Sequence, residues 1–221
     1  MEIYQKKQLP VLQTAIKNIV HIILAAGSSN RMGHPKQLLP WKNKSLIVNE
    51  IEKSLQLEQV ITIVVLGANF EIIKKEIKDF AVDIIYNQKW ESGMGTSISC
   101  ALQEALRKQQ NFNGVLITLV DQPLIDKMYL ESLISKFNQN QNSIVATTTG
   151  KKIGVPALFP NTYFSELIQL NDDYGARYVI KKYRDQVISM DGKDMTDDID
   201  TIEEYKAMLE RVKSNKKQYN I

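Results

Sequence analysis

Short apolar runs that alternate with amphipathic stretches constrain this chain more than any other feature. Val20-His21-Ile22-Ile23-Leu24 is the first run, and residues 60–66, 82–86, 114–120 and 143–147 supply four more. They are rich in Val, Ile and Leu, as strands covered on both faces are. Helix-period stripes lie between and after them, at 45–57, 69–78, 96–108, 126–137, 161–170, 175–183 and 201–212. In the third stripe the apolar positions are 98, 101, 102, 105 and 106, one face of a helix. Asp126 is placed to cap the fourth. Strand alternating with helix predicts a three-layer α/β/α, Rossmann-like fold with a mostly parallel sheet. Ligands of such sheets bind beyond the carboxyl ends of the strands. The residues just after each run therefore carry the functional information.

The chain has 221 residues, enough for one α/β domain spanning 1–221. Residues 1–18 read as an N-terminal extension, and the basic, polar 213–221 as a flexible tail. The formal net charge of +3 is too mild to point to nucleic acid. A single cysteine, Cys100, excludes an internal disulfide and is expected to be a packed core residue within the third helix. No apolar run reaches the roughly 18–20 residues that cross a bilayer. The N-terminus lacks a signal-peptide core, so a cytoplasmic protein without a membrane partner is expected.

The first strand runs into Leu24-Ala25-Ala26-Gly27-Ser28-Ser29-Asn30-Arg31-Met32-Gly33-His34-Pro35-Lys36. Small residues let backbone amides approach a phosphate chain, and Arg31 and Lys36 add positive charge. The spacing fits neither G-x4-G-K-[ST] nor G-x-G-x-x-G. By residue types alone it also suits a Gly-rich turn with solvated cations. Asp121-Gln122-Pro123 follows the fourth strand. An aspartate there can hold Mg²⁺, a hard ion that takes oxygen ligands, or it can form an Asx-turn. Gly93 and Gly95 permit tight turns before the third helix, where Thr96 or Ser97 can cap the helix. Asp198 and Asp200 alternate in an extended stretch, which sets both carboxylates on one side. Thr201 and Glu204 fit a capping box beside them.

These motifs together resemble the nucleotidyltransferase superfamily, and more closely its molybdopterin nucleotidyltransferase branch. The first loop matches L-A-A-G-x-S-x-R-M-G-x-x-K-x-L-L-P through Pro40, and residues 87–97 match N-x-x-W-x-x-G-M-x-x-S. Gly154-Val155-Pro156-Ala157-Leu158-Phe159 is similar to the family's G-V-P-x-x-F strand. Residues 170–177 resemble L-x-G-D-x-G-A-R, with Asn171 at the usual glycine. Residues 198–204 resemble D-I-D-T-P-x-D, with Ile202 at the proline. The resemblance covers about residues 19–205 and implies the nucleotide-diphospho-sugar transferase type of fold.

It implies that Leu24, Ala25, Ala26, Gly27, Ser28, Arg31, Lys36, Gly93 and Ser97 bind the nucleotide. Arg31, Lys36 and Asp121 would be catalytic, and Asp121, Asp200 and Asp198 would hold Mg²⁺. Gly154, Pro156 and Arg177 would face the acceptor. Ala26 and the D-Q-P sequence are similar to cytidylyltransferase members, so the implied reaction joins CMP from CTP to molybdopterin, with a molybdenum hydroxylase as client. GTP or a sugar phosphate as substrate, and a non-enzymatic cofactor chaperone, are the other readings. His21 and His34 receive no catalytic role.

Overall fold

The computed structural model describes residues 18–108, 111–150, 152–171 and 175–218. Residues 1–17 of the expected 1–18 extension and part of the motif at 170–177 lie outside them. A seven-stranded sheet forms the middle layer, in the order β5-β4-β1-β6-β8-β7-β9. Its strands are β1 (Ile19–Ala25), β4 (Val60–Leu66), β5 (Asp83–Tyr86), β6 (Gly114–Leu119), β7 (Ile144–Thr149), β8 (Lys152–Pro160) and β9 (Val187–Asp191). Only β8 runs antiparallel to its neighbours. A small hairpin, β2 (Pro40–Trp41) with β3 (Lys44–Ser45), follows the first loop.

Period-two alternation divides β1 between two cores. Val20, Ile22 and Leu24 face one side, where α3 (Met94–Lys108), α5 (Phe164–Ile168) and α6 (Ala176–Lys182) pack. Ile19, Ile23 and Ala25 face the other, under α1 (Leu46–Leu55), α2 (Phe70–Ile77) and α4 (Lys127–Gln139). Both faces are dry, so the strand reads as one apolar run. The polar exception, His21, is buried and bonds Ser54 of α1 at 2.6 Å and Thr118 of β6 at 2.9 Å. Burial and nearby Lys53 push its pKa down to about 3, so the ring is neutral and structural.

Several helix boundaries follow local chemistry. Ser45 Oγ accepts from Val48 N at the start of α1, and Asp126 Oδ1 from Tyr129 N at the start of α4. Helix α3 begins at Met94, two residues before the expected start, so Thr96 and Ser97 sit inside its first turn and do not cap it. Helix α7 (Ile202–Gln218) continues through most of the stretch read as a flexible tail. Cys100 is half-buried and not in the core. Among the described residues no helix is long and apolar enough to cross a membrane.

The order of strands reverses at β1, which has β4 on one side and β6 on the other. The crevice beyond the carboxyl ends of β1 and β6 is thus the favoured ligand site of the sheet.

Candidate active site

Beyond Ala25 the first loop turns through left-handed positions at Ser29 (φ 58°) and Gly33 (φ 70°). Ser29 Oγ accepts from the amide of Lys36 at 3.0 Å and so closes the loop. Gln37, fully buried, donates to the carbonyls of Ala25 at 2.8 Å and Gly27 at 2.9 Å. Among the described residues, the amides of Gly27 and Ser28 donate to no other protein group. Fixed carbonyls and unpaired amides suit a loop that wraps an anion. Gln37 was a variable position in the sequence motif, and no pattern marked it. Arg31 lies exposed in a short 3-10 turn, Asn30–Met32.

Lys36 reaches from this loop to two distant segments. Its Nζ donates to Asp121 Oδ2 at 2.5 Å, Asp200 Oδ1 at 3.0 Å and the Ile199 carbonyl at 3.0 Å. Asp121 lies two residues beyond the end of β6. Asp200 is held by Ile199, whose side chain is fully buried and whose amide donates to Asp121 O at 3.0 Å. Burial alone would lower the Lys36 pKa, but Asp121 and Asp200 outweigh it and hold the ammonium above the usual lysine value. The other carboxylate oxygen of Asp121, Oδ1, is buried and has no hydrogen-bond partner. Asp198 accepts from Gln122 Nε2 at 2.9 Å. Burial, then the charges of Asp121 and Asp200, pushes its pKa up to about 6. It lies in an outer hollow with Glu204 and Arg211, while Asp200 borders both that hollow and the central cavity. The capping box is present: Glu204 accepts from the amides of Asp200 and Thr201, and Thr201 Oγ1 from that of Glu204.

A cavity of about 540 Å³ joins these parts. Leu24 through Ser28, Lys36, Asp121, Asp200, Gly93 and Ser97 all line it, together with Gln37, Trp90, Glu91 and Met94. Its far wall is set by Asn87, buried at the end of β5. Asn87 Nδ2 donates to Thr96 Oγ1 at 2.8 Å and Ser97 Oγ at 2.9 Å. Ser97 Oγ is therefore an acceptor toward Asn87 and has its proton free to donate. Gly67, just beyond β4, lines the wider neighbouring hollow and packs behind two residues of the cavity wall: a Cβ there would stand 2.5 Å from Trp90 Cβ and 2.7 Å from the Ala26 carbonyl. The sequence showed Gly67 only as the end of a strand. A wider hollow of about 900 Å³ adjoins through Ser28 and Trp90.

The expected acceptor residues stand at the same sheet edge. A Cβ on Gly154 would lie 3.9 Å from Arg177 Nη2. Gly175, at φ 52°, sits against Met94 of the cavity wall. Pro156 follows a cis peptide bond and is buried; its carbonyl accepts from Thr147 Oγ1 at 2.6 Å. Among the described residues, no group of three or more His, Cys, Asp or Glu side chains is arranged to hold a metal by itself. Asp121 and Asp200 can supply carboxylate oxygens beside bound phosphates, the usual environment of Mg²⁺.

Known proteins are similar to this chain in sequence and in fold. Among curated relatives, purine catabolism protein PucB of Bacillus subtilis (strain 168) is 27% identical over 200 residues, 85% of this chain and 94% of PucB. Nicotine blue oxidoreductase of Paenarthrobacter nicotinovorans is 33% identical over 111 residues, 50% of this chain and 52% of that protein. Molybdenum cofactor cytidylyltransferase of Escherichia coli (strain K12) is 32% identical over 81 residues, 37% of this chain and 42% of the relative. The aligned stretch thus spans about half of each of the latter two. Among solved structures, Rv0371c from Mycobacterium tuberculosis H37Rv superimposes with a TM-score of 0.76 at 26% identity, covering 87% of this chain and 98% of that one. A manganese complex of Rv0371c matches at a TM-score of 0.71 and 23% identity. The family model of the MobA-like NTP transferase domain matches residues 21–187, from β1 to the start of β9. With its loop, cavity and sheet order in place, the chain belongs to the MobA-like NTP transferase family.

Proposed function

We propose that this chain acts as a single domain to transfer CMP from CTP to the terminal phosphate of molybdopterin, giving molybdopterin cytosine dinucleotide and pyrophosphate. One observation carries the transfer reading: Lys36, Asp121 and Asp200 meet at one point although 85 and 164 residues separate the lysine from the two carboxylates. The choice of cytidine and pterin rests on Ala26, on Asp121-Gln122-Pro123 and on the likeness to the Escherichia coli cytidylyltransferase.

In this reading the loop amides of Gly27 and Ser28 cradle the triphosphate. An oxygen of the acceptor phosphate attacks the α-phosphorus, the bond to the bridging α–β oxygen breaks, and pyrophosphate leaves. The nucleophile is already ionised, so the chain needs no general base. Its work is positioning and charge neutralisation. Lys36 exchanges its carboxylates for phosphate oxygens as the nucleotide enters, and Arg31 turns in from the loop rim toward the leaving group. Ser97, oriented by Asn87, donates to the nucleoside. Gly154, Pro156 and Arg177 form the acceptor side. Asp121 and Asp200, with Asp198 behind them, would hold Mg²⁺, and the unpartnered Oδ1 of Asp121 fits that duty. When bound, the ion supplies charge neutralisation at the α-phosphate. The reaction belongs in the cytoplasm, with a molybdenum hydroxylase receiving the product.

Calorimetric titration of CTP, GTP and ATP with Mg²⁺, followed by mass spectrometry of the product, tests the reading. CTP should bind most tightly, and the product should carry cytidine. Negligible binding of all three would end it. A guanosine product, a sugar-phosphate product, or retained pterin without turnover would select one of the other readings.

A further inference from the structure

Helix α6 and the 3-10 turn that follows it, Arg184–Gln186, carry cations in two different settings. Lys182 is neutralised: its Nζ lies 2.8 Å from both carboxylate oxygens of Glu166, beside the Tyr183 hydroxyl on the same carboxylate. Arg177, Lys181 and Arg184 follow one another at i, i+4 and i+7 and line one small hollow of about 160 Å³. Among the described residues, none of the three has a carboxylate, hydroxyl or carbonyl partner. Arg177 and Lys181 are like charges at i, i+4 within α6, a pairing that destabilises a helix, and α6 is only seven residues long. Arg184 adds its charge from the 3-10 turn beyond the helix end. The fold thus tolerates a concentration of positive charge that it neutralises one residue away. Ile153 and Ile180 complete the hollow, and an apolar floor strengthens any charge-assisted hydrogen bond made above it.

We infer that Arg177, Lys181 and Arg184 form a second oxyanion site, separate from the nucleotide cavity, for a phosphate-class group. Two guanidinium forks suit the paired oxygens of such a group, and the ammonium between them adds a point charge. The hollow is well below the roughly 300 Å³ at which pockets for drug-sized ligands begin, so it takes a phosphate-sized group and not a nucleotide. Arg177 stands beside Gly154, and Gly175 beside it touches Met94 of the central cavity. The site therefore begins at the acceptor side of the cleft and runs along α6, Lys181 lying roughly 6 Å further along the axis at the usual helical rise. Two sources could fill it. One is an anionic group at the far end of the acceptor, an assignment that rests on the transfer reading. The other is free phosphate or pyrophosphate.

The test is a titration of the whole protein with inorganic phosphate at constant ionic strength, made up with chloride, while NMR follows the guanidinium Nε–H signals of Arg177 and Arg184. Both should shift saturably with one dissociation constant, and Arg107, paired with Glu104 in the structure, should not. Lys181→Glu should weaken this binding by about tenfold or more, the scale of losing one bond to a charged group. The milder Arg184→Gln should weaken it less, and both variants should melt at or slightly above the wild-type temperature, because the side chains are exposed and the substitutions relieve like-charge repulsion. Absence of saturation, or equal binding in Lys181→Glu, would overturn the site. A raised KM for the acceptor in Lys181→Glu, with KM for the NTP and kcat kept, assigns the site to the acceptor. An unchanged acceptor KM with phosphate binding lost assigns it to the free anion. Failure of the transfer reading would show as no turnover in the wild type and would leave the titration result standing.

Discussion

Lys36 occupies the two carboxylates that a metal ion would need, and replacing it with methionine separates its two duties. The ammonium lies 2.5 Å from Asp121 and 3.0 Å from Asp200. At an effective dielectric of about 20 these separations correspond to attractions on the order of 7 and 6 kcal/mol. The Asp200 side chain is 50% exposed, so its share falls to about the 1 kcal/mol of a surface pair. Lys36 and Asp121 are only 13% and 15% exposed, and desolvation offsets most of their attraction. A net of about 2–3 kcal/mol is left, or roughly 30- to 150-fold in a binding constant. A divalent ion arriving without nucleotide must displace that clamp. Lys36→Met fills the same space without the charge and should bind Mn²⁺ more tightly by that factor. Its turnover should nevertheless fall by about 10²-fold or more, the scale for losing one preorganised charge stabiliser. The assay is Mn²⁺ titration followed by electron paramagnetic resonance, without NTP and near pH 8 so that the carboxylates stay ionised, beside single-turnover kinetics. Unchanged or weaker Mn²⁺ binding in Lys36→Met would refute the shared-ligand argument.

The remaining predictions address the cavity wall and the core. Asp121→Asn should abolish Mg²⁺-dependent turnover while circular dichroism shows the fold intact. Asn87→Ala removes both donors that orient Thr96 and Ser97; KM for the NTP should rise by about tenfold, the value of one or two hydrogen bonds, with a smaller change in kcat. Gly67→Ala drives a methyl into Trp90 and the Ala26 carbonyl, and urea denaturation should show a loss of about 1–3 kcal/mol together with weaker NTP binding. His21 has a folded pKa near 3, depressed from 6.5, so falling pH protonates the unfolded chain first and stability is lost between those values. Glu50 and Asp198, raised to about 7 and about 6, act in the opposite direction, so a difference measurement is needed. The stability advantage of wild type over His21→Gln should shrink by about 2 kcal/mol between pH 7.5 and pH 5; a pH-independent difference would contradict the buried neutral ring.

The parallel half of the fold was legible because burial on both faces leaves an unmistakable apolar run, as in β1 and β4. The hairpin of β2 and β3 was not legible, since two-residue strands carry no period. Strand β9 was missed because its residues are only partly buried and its polar positions interrupt the pattern. The start of α3 was displaced because Met94 and Gly95 precede the residues that look like a cap. Lys36, Asp121 and Asp200 were legible as chemical types at strand ends and in an extended stretch. Their meeting depends on the buried Ile199 and its amide bond to Asp121, a tertiary contact that no local pattern encodes. Gln37 and Asn87 act through other residues, and an amide side chain looks alike in the sequence whether it is solvated or orients a loop.

Within the seven-stranded sheet, the antiparallel strand β8 explains how the residues proposed for the donor and acceptor sides share an edge. In β8 Gly114 of β6 faces Pro160 and Thr149 of β7 faces Lys152, so β8 brings its amino-terminal end to the edge where β1 and β6 end. A parallel strand in that place would present Pro160 there and carry Gly154 to the opposite rim. The reversal sets Gly154 against Arg177, and the left-handed turn at Gly175 starts α6 beside Met94, the residue that also walls the central cavity. Changes at Gly175 should therefore disturb both sides of the cleft. Gly175→Ala meets Met94 Sδ at 3.2 Å and a backbone angle that L-residues rarely adopt. It should raise KM for acceptor and nucleotide together, whereas Lys181→Glu should leave the nucleotide term alone. If Gly175→Ala changed only one of the two constants, Met94 would not couple the halves of the cleft.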